Sequence, residues 1–134
     1  MKEPVWIDAH DVLALHDRLL ALDGGASGLR DATLLDSALA RPRQVHAYGE
    51  SADMIDLAAA YIVGIVRNHP FIDGNKRTGF VVGVLFLEIN DYLFTAQEED
   101  ATQAVFGLAS GTIDESGFAA WLRANARTPP KRAE

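Results

Sequence analysis

Residues that can transfer a proton or bind an anion are concentrated in one short stretch of the sequence. It runs from His69 to Gly79 and reads His-Pro-Phe-Ile-Asp-Gly-Asn-Lys-Arg-Thr-Gly. An imidazole beside a bound phosphate can act as general base on an incoming hydroxyl group. A carboxylate at the same place can hold Mg²⁺, which takes one or two carboxylates together with phosphate oxygens. The residue types therefore indicate a phosphate site that faces a histidine.

Two strongly helical segments flank this stretch and must position it. The first is the apolar pattern from Asp53 to Asn68, and the second, Thr78 to Ile89, is almost entirely apolar. Pro70 disfavours helix in the preceding residue, so the first helix should stop near His69. Gly74 permits a tight loop, after which the next helix should begin close to Asn75. The first amides of that helix lack internal partners and carry partial positive charge, which makes them an anion site.

The candidate site residues divide into a catalytic and a binding set. We expect His69 to act as the general base, Asp73 to hold Mg²⁺, and Arg77 to bind phosphate in support of catalysis. The expected phosphate cradle consists of Gly74, Asn75, Lys76 and Arg77. Simpler roles stay open: helix capping for Asp73 and Asn75, a solvated charge for Lys76, and a surface ion pair for Arg77. Phe71, an apolar residue within a polar loop, is expected to anchor the loop in the core.

Composition bounds the class of protein. The 134 residues predict one domain over 1–134, with a core at about 5–126 and a flexible tail at 127–134. The net charge of −7 argues against direct nucleic-acid binding. The absence of cysteine excludes disulfides and thiolate chemistry and fits a reducing cytoplasm. No signal peptide is visible, and the longest apolar run, Phe80 to Leu87, is far shorter than the ~20 residues of a membrane span.

Capping and turn signals predict an all-α domain of about six helices. Asp8 should cap a helix from Ala9 to Leu22, and Asp31 a second helix that runs to about residue 40 and is ended by Pro42. The remaining helices should start at Ser51, near Asn75, and at two capping boxes, Thr95-Ala96-Gln97-Glu98 and Thr112-Ile113-Asp114-Glu115. No strand-like alternation persists along the chain.

One segment before the third helix is predicted to be a loop or flap. It runs from Arg43 to Glu50, has no clear period, and carries His46 and Tyr48, which are candidates for contacts with a partner. Elsewhere, Arg67 and Asn68 border the site as either target contacts or a solvated helix end. The expected core anchors are Trp6 and Trp121, while His10 and His16 are interpreted as surface or core-edge residues.

The stretch His69-Pro-Phe-Ile-Asp-Gly-Asn-Lys-Arg77 resembles the signature of the Fic/Doc superfamily, His-x-Phe-x-(Asp/Glu/Ala)-(Gly/Ala)-Asn-x-x-Arg. Within it, the likeness is closer to the Doc, or death-on-curing, toxins. Further likeness lies in Gly28 to Pro42, Leu57 to Tyr61 and Phe86 to Asn90, so most of residues 5–126 is covered. The resemblance implies the all-α Fic/Doc fold.

Two positions depart from the pattern of Fic proteins that transfer AMP. Lys76 stands where that pattern has glycine, and Phe80 where it has a second arginine. The resemblance to Doc then implies that ATP binds in the reverse sense and offers its γ-phosphate, with Mg²⁺, to a serine or threonine of a target protein. In Doc-like systems the implied target is elongation factor Tu, so translation would be arrested.

Alternatives and partners follow from the same residues. A Fic-type AMP transferase is the second hypothesis, and Lys76 and Phe80 speak against it. A non-catalytic phosphate-binding regulator is the third, and a metal hydrolase is weaker because no ligand set has the right spacing. The self-inhibitory pattern (Ser/Thr)-x-x-x-Glu-(Gly/Asn) is absent from the sequence. Restraint of a toxin would therefore come from a separate Phd-like antitoxin, expected to fold on an apolar groove.

Overall fold

The computed structural model describes residues 3–49 and 51–129, which form six α-helices and one short β pair. In chain order the elements are α1 (Ala9–Asp23), α2 (Ala32–Tyr48), α3 (Met54–Asn68), α4 (Asn75–Ile89), β1 (Leu93–Phe94), α5 (Glu98–Ser110), α6 (Glu115–Ala124) and β2 (Ala126–Arg127). This confirms the all-helical prediction. In the described part of the chain, no helix is both long and apolar enough to cross a membrane.

Helix α3 is the centre of the domain. Every residue from Leu57 to Val66 is buried, and the helix packs against α2 on one side and α4 on the other. Small residues allow this close packing, because a methyl group on Gly64 would approach the Ala38 backbone to 3.2 Å. On the other side, a methyl group on Gly83 would overlap the side chain of Ile62. The C-terminal end of α3 and the N-terminal end of α4 are joined by the candidate loop, residues 69–74.

The N-terminal lead-in is pinned to the same core. Ile7 is buried, its N–H donates to the Tyr61 hydroxyl at 3.0 Å, and its carbonyl accepts from that hydroxyl at 3.2 Å. Burial raises the pKa of the Tyr61 phenol above its ordinary value of 10.0, so the hydroxyl stays neutral. Asp8 then caps α1 in a reciprocal capping box with Asp11, as the sequence predicts for the start of this helix.

A loop precedes the third helix as predicted, but its predicted bounds, Arg43 to Glu50, are wrong, because residues 43–48 are helical. Helix α2 does not end at Pro42 but continues to Tyr48, with the proline inside it and buried. Proline lacks the N–H of a regular turn and costs about 3 kcal/mol within a helix. The inner stripe nevertheless continues at helical spacing from Leu39 through Pro42 to Val45, so burial of that stripe favours the helix.

His46 and Tyr48 are therefore helical residues rather than flap residues. His46 contacts the lead-in, with its Nε2 3.2 Å from a Glu3 carboxylate oxygen and its ring 5.5 Å from that of Trp6. Tyr48 is largely exposed at the end of α2. Glu50, the last residue of the predicted flap, lies outside the described residues.

Three predicted helix caps are each displaced by two residues. Helix α3 is capped by Asp53 instead of Ser51, because Asp53 and Asp56 form a reciprocal capping box. Neither predicted threonine box forms, since each threonine hydroxyl donates elsewhere: Thr95 to the Asn125 carbonyl and Thr112 to the Gly107 carbonyl. The caps observed are Gln97 for α5 and Asp114 for α6.

Two contacts join the C-terminal part of the described chain to the core: a β pair and a set of hydrogen bonds from Arg123. Strand β2 pairs antiparallel with β1, so Arg127 belongs to the fold and not to the predicted tail; residues 130–134 lie outside the described part. The Arg123 guanidinium of α6 bonds the capping carboxylates of α3, Asp53 at 3.0 Å and Asp56 at 3.2 Å. Burial tends to raise the pKa of Asp53, but hydrogen bonds from the Asp56 amide and Arg123 outweigh it and hold the pKa below its ordinary 3.8.

Candidate functional site

The loop between α3 and α4 begins with a histidine in an unusual backbone conformation. His69 is the C-cap of α3, with φ 54° and ψ 54°, and its N–H donates to the Ile65 carbonyl at 3.1 Å. The helix stops where Pro70 predicts, although His69 adopts the left-handed rather than the extended region. A left-handed residue that is not glycine is strained, and such strain is common at functional sites. The histidine is exposed, so a substrate can reach it.

Arg30 holds this turn in place. Its guanidinium donates to the carbonyls of His69 at 2.7 Å and Asn68 at 3.0 Å, which satisfies the free C-terminal end of α3. The N–H groups of Arg30 and Asp31 both donate to the Pro70 carbonyl. Sequence analysis missed Arg30, and no local pattern marks it, because its partners lie 38 and 39 residues away.

The segment between α1 and α2 pairs with the loop as a single β-bridge. Leu29 faces Phe71 in this bridge, and the bonds that flank it run from Ile72 N–H to Gly28 and from Arg30 N–H to Pro70. The segment adjacent to the site is thus the one between α1 and α2, and not the predicted flap at 43–50. In this bond pattern the N–H and carbonyl of Leu29 point away from Phe71.

Asn75 works as an internal clasp. It is 4% exposed; its side-chain oxygen accepts from the Phe71 N–H and its amide donates to the Phe71 carbonyl, each at 2.9 Å. Phe71 itself is fully buried, as predicted for a loop anchor. The side chain of Asn75 is therefore occupied in holding the loop. Its backbone N–H, at the first position of α4, is the group that is left free for a hydrogen bond to an anion.

Asp73 is exposed and is held at both its backbone and its side chain. Its carboxylate accepts from the Ala26 N–H at 3.2 Å and from the Gly74 N–H at 2.9 Å. Its carbonyl accepts from Nε2 of the buried His16 at 2.8 Å. Each carboxylate oxygen retains lone-pair capacity, so the group fits a role as the protein's single ligand to Mg²⁺. Residues 3–49 and 51–129 contain no cluster of three or more metal-binding side chains.

The start of α4 has the features of an anion cradle. Gly74, with φ 79°, turns the chain into the helix, and the first helical bond joins the Thr78 N–H to the Gly74 carbonyl at 2.9 Å. The N–H groups of Asn75, Lys76 and Arg77 come before that bond and have no acceptor among the described residues. They are free to bind an oxyanion.

The two cations of the cradle differ in their surroundings. Arg77 is about half exposed and forms an ion pair with Asp23 at the end of α1, with 2.7 Å between Nε and a carboxylate oxygen. The surface ion pair left open for Arg77 is thus present. The Lys76 ammonium lies 5.8 Å from the centre of the Phe106 ring, within reach of a weak cation–π contact.

A cavity of about 550 Å³ adjoins the cradle. Lys76 and Arg77 lie on its lining, and α4, α5 and the segment from Phe94 to Ala96 supply the rest. Three aromatic rings, those of Phe80, Phe94 and Phe106, line it. Its volume is in the range of small-molecule sites, which are mostly apolar with a few polar groups. Cation and aromatic surface together suit a ligand that has both a phosphate and a flat ring.

Other residues singled out in the sequence lie outside this arrangement. Asn68 donates its side-chain amide to the Leu34 carbonyl, so it is a structural residue, while Arg67 is exposed beside the loop. Trp6 and Trp121 pack on Phe86 and Phe118 respectively, in agreement with their prediction as core anchors.

The prediction of His16 as a surface or core-edge residue is wrong, because its side chain is only 2% exposed. Its spacing of four residues from the buried Val12 was the available signal.

The helical fold and the loop between α3 and α4 can be compared with those of known protein families. The model of the Fic/DOC family matches residues 6–87, which is more than half of the chain, so the protein belongs to this family. Among curated proteins, the chain is 34% identical over 117 residues to "Protein kinase doc" of Escherichia phage P1, covering 87% of this chain and 92% of that protein. It is 41% identical over 87 residues to "Toxin Doc" of Mycolicibacterium smegmatis, covering 63% and 64% of the two chains.

Proposed function

We propose that this protein is a Doc-type toxin that transfers the γ-phosphate of ATP to a serine or threonine of a target protein, with elongation factor Tu as the expected target. Relatives named as a protein kinase and as a toxin support the proposal. The observation that carries it is the aromatic cavity beside the cationic start of α4. Translation arrest would be the consequence in the cell.

The lining of the cavity supports the proposal of γ-phosphate transfer rather than AMP transfer. Phe80 lines the cavity at the position where the AMP-transferring pattern has its second arginine. An arginine there would bind phosphate, whereas a phenylalanine offers a surface on which a nucleobase can pack. With the base in the cavity, the phosphate chain would extend toward Lys76 and Arg77, which lie on the cavity lining. The γ-phosphate is then the group presented for transfer.

The residues of the loop have distinct parts in such a transfer. His69 accepts the proton of the target hydroxyl as the oxygen forms its bond to phosphorus and the bond to the departing ADP breaks. The N–H groups at the start of α4, with Lys76 and Arg77, stabilise the negative charge of the phosphoryl group. Mg²⁺, when bound at Asp73, supplies further charge neutralisation. The chain itself contributes mainly positioning and electrostatics.

The open edge at Leu29 is suited to hold the target segment. The N–H and carbonyl of Leu29 point outward from the bridge with Phe71, and Leu29 and Ile72 are 37% and 52% exposed. An extended segment can add to such an edge through main-chain hydrogen bonds. This assigns to residues 28–30 the docking role first predicted for the segment at 43–50. A hydroxyl carried on that segment would lie beside the loop of His69.

The test is transfer of label in cell lysate with Mg²⁺, using ATP labelled on the γ-phosphate in one reaction and on the α-phosphate in another. Transfer from the γ position to elongation factor Tu, lost in His69→Asn and strongly reduced in Lys76→Gln, is the expected result. Arg18→Gln, which removes an exposed charge from α1, is the matched control and should behave as wild type. Transfer from the α position would establish an AMP transferase instead, and no transfer in either reaction would favour a phosphate-binding regulator.

We further propose a Phd-like antitoxin as the neutralising partner. Support comes from relatives named as Doc and from the absence of a self-inhibitory pattern in the sequence. A small protein encoded beside this one should bind it with nanomolar affinity and abolish growth arrest on co-expression. Growth arrest that persists in the presence of every neighbouring gene product would argue against such a partner.

A further inference from the structure

The most deeply buried titratable side chain of α1 points at the candidate loop. Only two residues of α1, Val12 and His16, are buried, and His16 is 2% exposed. A polar ring at such a position is costly unless it is hydrogen bonded. Nothing in the proposed transfer reaction uses this histidine. Its contacts therefore require a separate explanation.

His16 contacts three residues of the loop. Its ring stacks on Phe71 with 3.8 Å between the ring centres and 9° between the planes. Its Nε2 is 2.8 Å from the carbonyl oxygen of Asp73. It also borders Gly74, where an added methyl group would lie 3.7 Å from the same nitrogen. One side chain thus touches the anchor, the carboxylate residue and the turn residue of the loop.

The bond to Asp73 fixes the orientation of one peptide plane. A carbonyl only accepts, so Nε2 carries the proton and donates. In a trans peptide the following N–H points opposite to the carbonyl, so the Gly74 N–H is directed away from His16. There it donates to the carboxylate of Asp73 at 2.9 Å. If this plane flipped, a carbonyl oxygen would replace the N–H beside the carboxylate and repel it.

We propose that His16 is a positioning residue that locks the Asp73–Gly74 peptide plane, and with it the Asp73 carboxylate and the first turn of α4, in the orientation that binds phosphate. The inference rests on the proposed function only in taking Asp73 and α4 as the phosphate site. His16 itself does not touch the substrate. It acts through the backbone of the loop.

Two substitutions separate this role from simple packing. His16→Gln keeps an N–H donor near the position of Nε2 but loses the stacked ring. His16→Phe keeps the ring and its volume but loses the donor. If the ring matters only as core, the phenylalanine variant is the better tolerated of the two. If instead the hydrogen bond sets the orientation of the peptide plane, the glutamine variant is the better tolerated of the two.

We expect His16→Phe to lower kcat of phosphate transfer by about 10-fold or more, as losses of supporting hydrogen bonds typically do, while His16→Gln retains activity near wild type. KM for the target protein should be unchanged, because the Leu29 N–H and carbonyl proposed to hold the target point away from Phe71, on which His16 stacks. Val12→Ala, one turn away on the same helix, is the control: it removes apolar volume from the same buried face without removing a hydrogen-bond donor. It should reduce stability and leave kcat unchanged.

A second measurement does not depend on enzymatic activity. Amide hydrogen exchange at Gly74, Asn75 and Lys76, and the affinity for inorganic phosphate, are measured for wild type and the three variants. Faster exchange and weaker phosphate binding in His16→Phe alone would support the proposal even if wild type transfers no phosphate. Unchanged exchange and binding in His16→Phe, or equal effects in Val12→Ala, would overturn it. Failure of the proposed function would appear only in the transfer assay.

Discussion

At the residue scale, the side chain of Asn75 has a structural use that its place in the sequence does not reveal. Its place in the sequence stretch led to the expectation of a phosphate ligand, and the structure does put it at the first position of α4. Its side chain, however, is spent on the backbone of Phe71, so only its N–H is left for an anion. That use could not be read from the sequence, because an amide that caps, clasps or binds phosphate has the same spacing.

The two hydrogen bonds from the Asn75 side chain to the Phe71 backbone predict a loss of stability when that side chain is removed. Asn75→Ala leaves the N–H and carbonyl of Phe71 unpaired in a buried position, which costs about 1–3 kcal/mol of unfolding free energy. Urea denaturation measures the loss. Asn125→Ala, which removes one hydrogen bond to Trp121 at a partly buried site, should cost less. An Asn75→Ala protein as stable as wild type would contradict the assignment.

The ion pair between Arg77 and Asp23 predicts a gain in ligand affinity when the charge of Asp23 is removed. Asp23 competes with a bound anion for the guanidinium, and an exposed pair of this kind is worth about 0.2–1 kcal/mol. Asp23→Asn should therefore raise the affinity for Mg-ADP by up to about fivefold, measured by calorimetry, with a small change in stability. Asp17→Asn changes the net charge equally on an exposed face of the same helix. An increase of the same size in both variants would indicate a general charge effect, not competition at Arg77.

At the scale of elements, sequence and structure agree at the caps of α1 and α2 and differ where a helix breaker lies on a buried stripe. Asp8 and Asp31 start α1 and α2 as expected, because an aspartate at this position satisfies free helix N–H groups. Pro42 does not end α2, because burial on the inner stripe outweighs its local preference. The predicted box at Thr95 fails for a similar reason, because the Asn125 carbonyl, 30 residues away, accepts the threonine hydroxyl. Local signals cannot include partners that arrive from elsewhere in the chain.

The packing of α3 on α4 predicts a steric effect. Gly83→Ala would place a methyl group into the side chain of Ile62 and close to the Ala58 carbonyl. Overpacking of this kind costs about 1–3 kcal/mol, observed as a lower midpoint of thermal unfolding. A double variant with Ile62→Ala relieves the overlap and should lose less than the sum of the two single losses. Strict additivity would show that the two residues do not interfere.

At the scale of the molecule, the hydrogen-bonded ion pair between Arg123 of α6 and Asp53 at the start of α3 predicts how stability depends on pH. The folded pKa of Asp53 lies below 3.8, so on acidification the unfolded chain binds this proton first. Stability from this group is complete above about pH 4 and is lost as the pH falls through the folded pKa. Asp53→Asn keeps a capping side chain but removes the charge, so its stability should fall less steeply below pH 4. Denaturation curves between pH 3 and 7 test this, with Asp17→Asn as the control that should retain the wild-type slope.

The cavity is assembled from parts of the chain that are made at different times. Its cationic mouth belongs to α4, whereas Phe94 and Phe106 come later, and the strand that pairs with the segment of Phe94 is Ala126–Arg127. Because domains fold from the N-terminus during synthesis, a ribosome-bound chain that has exposed α1 to α4 carries the loop but lacks one wall of the pocket. If the protein arrests translation as proposed, this order of synthesis would protect the ribosome that makes it, because the pocket would be complete only when synthesis is almost finished.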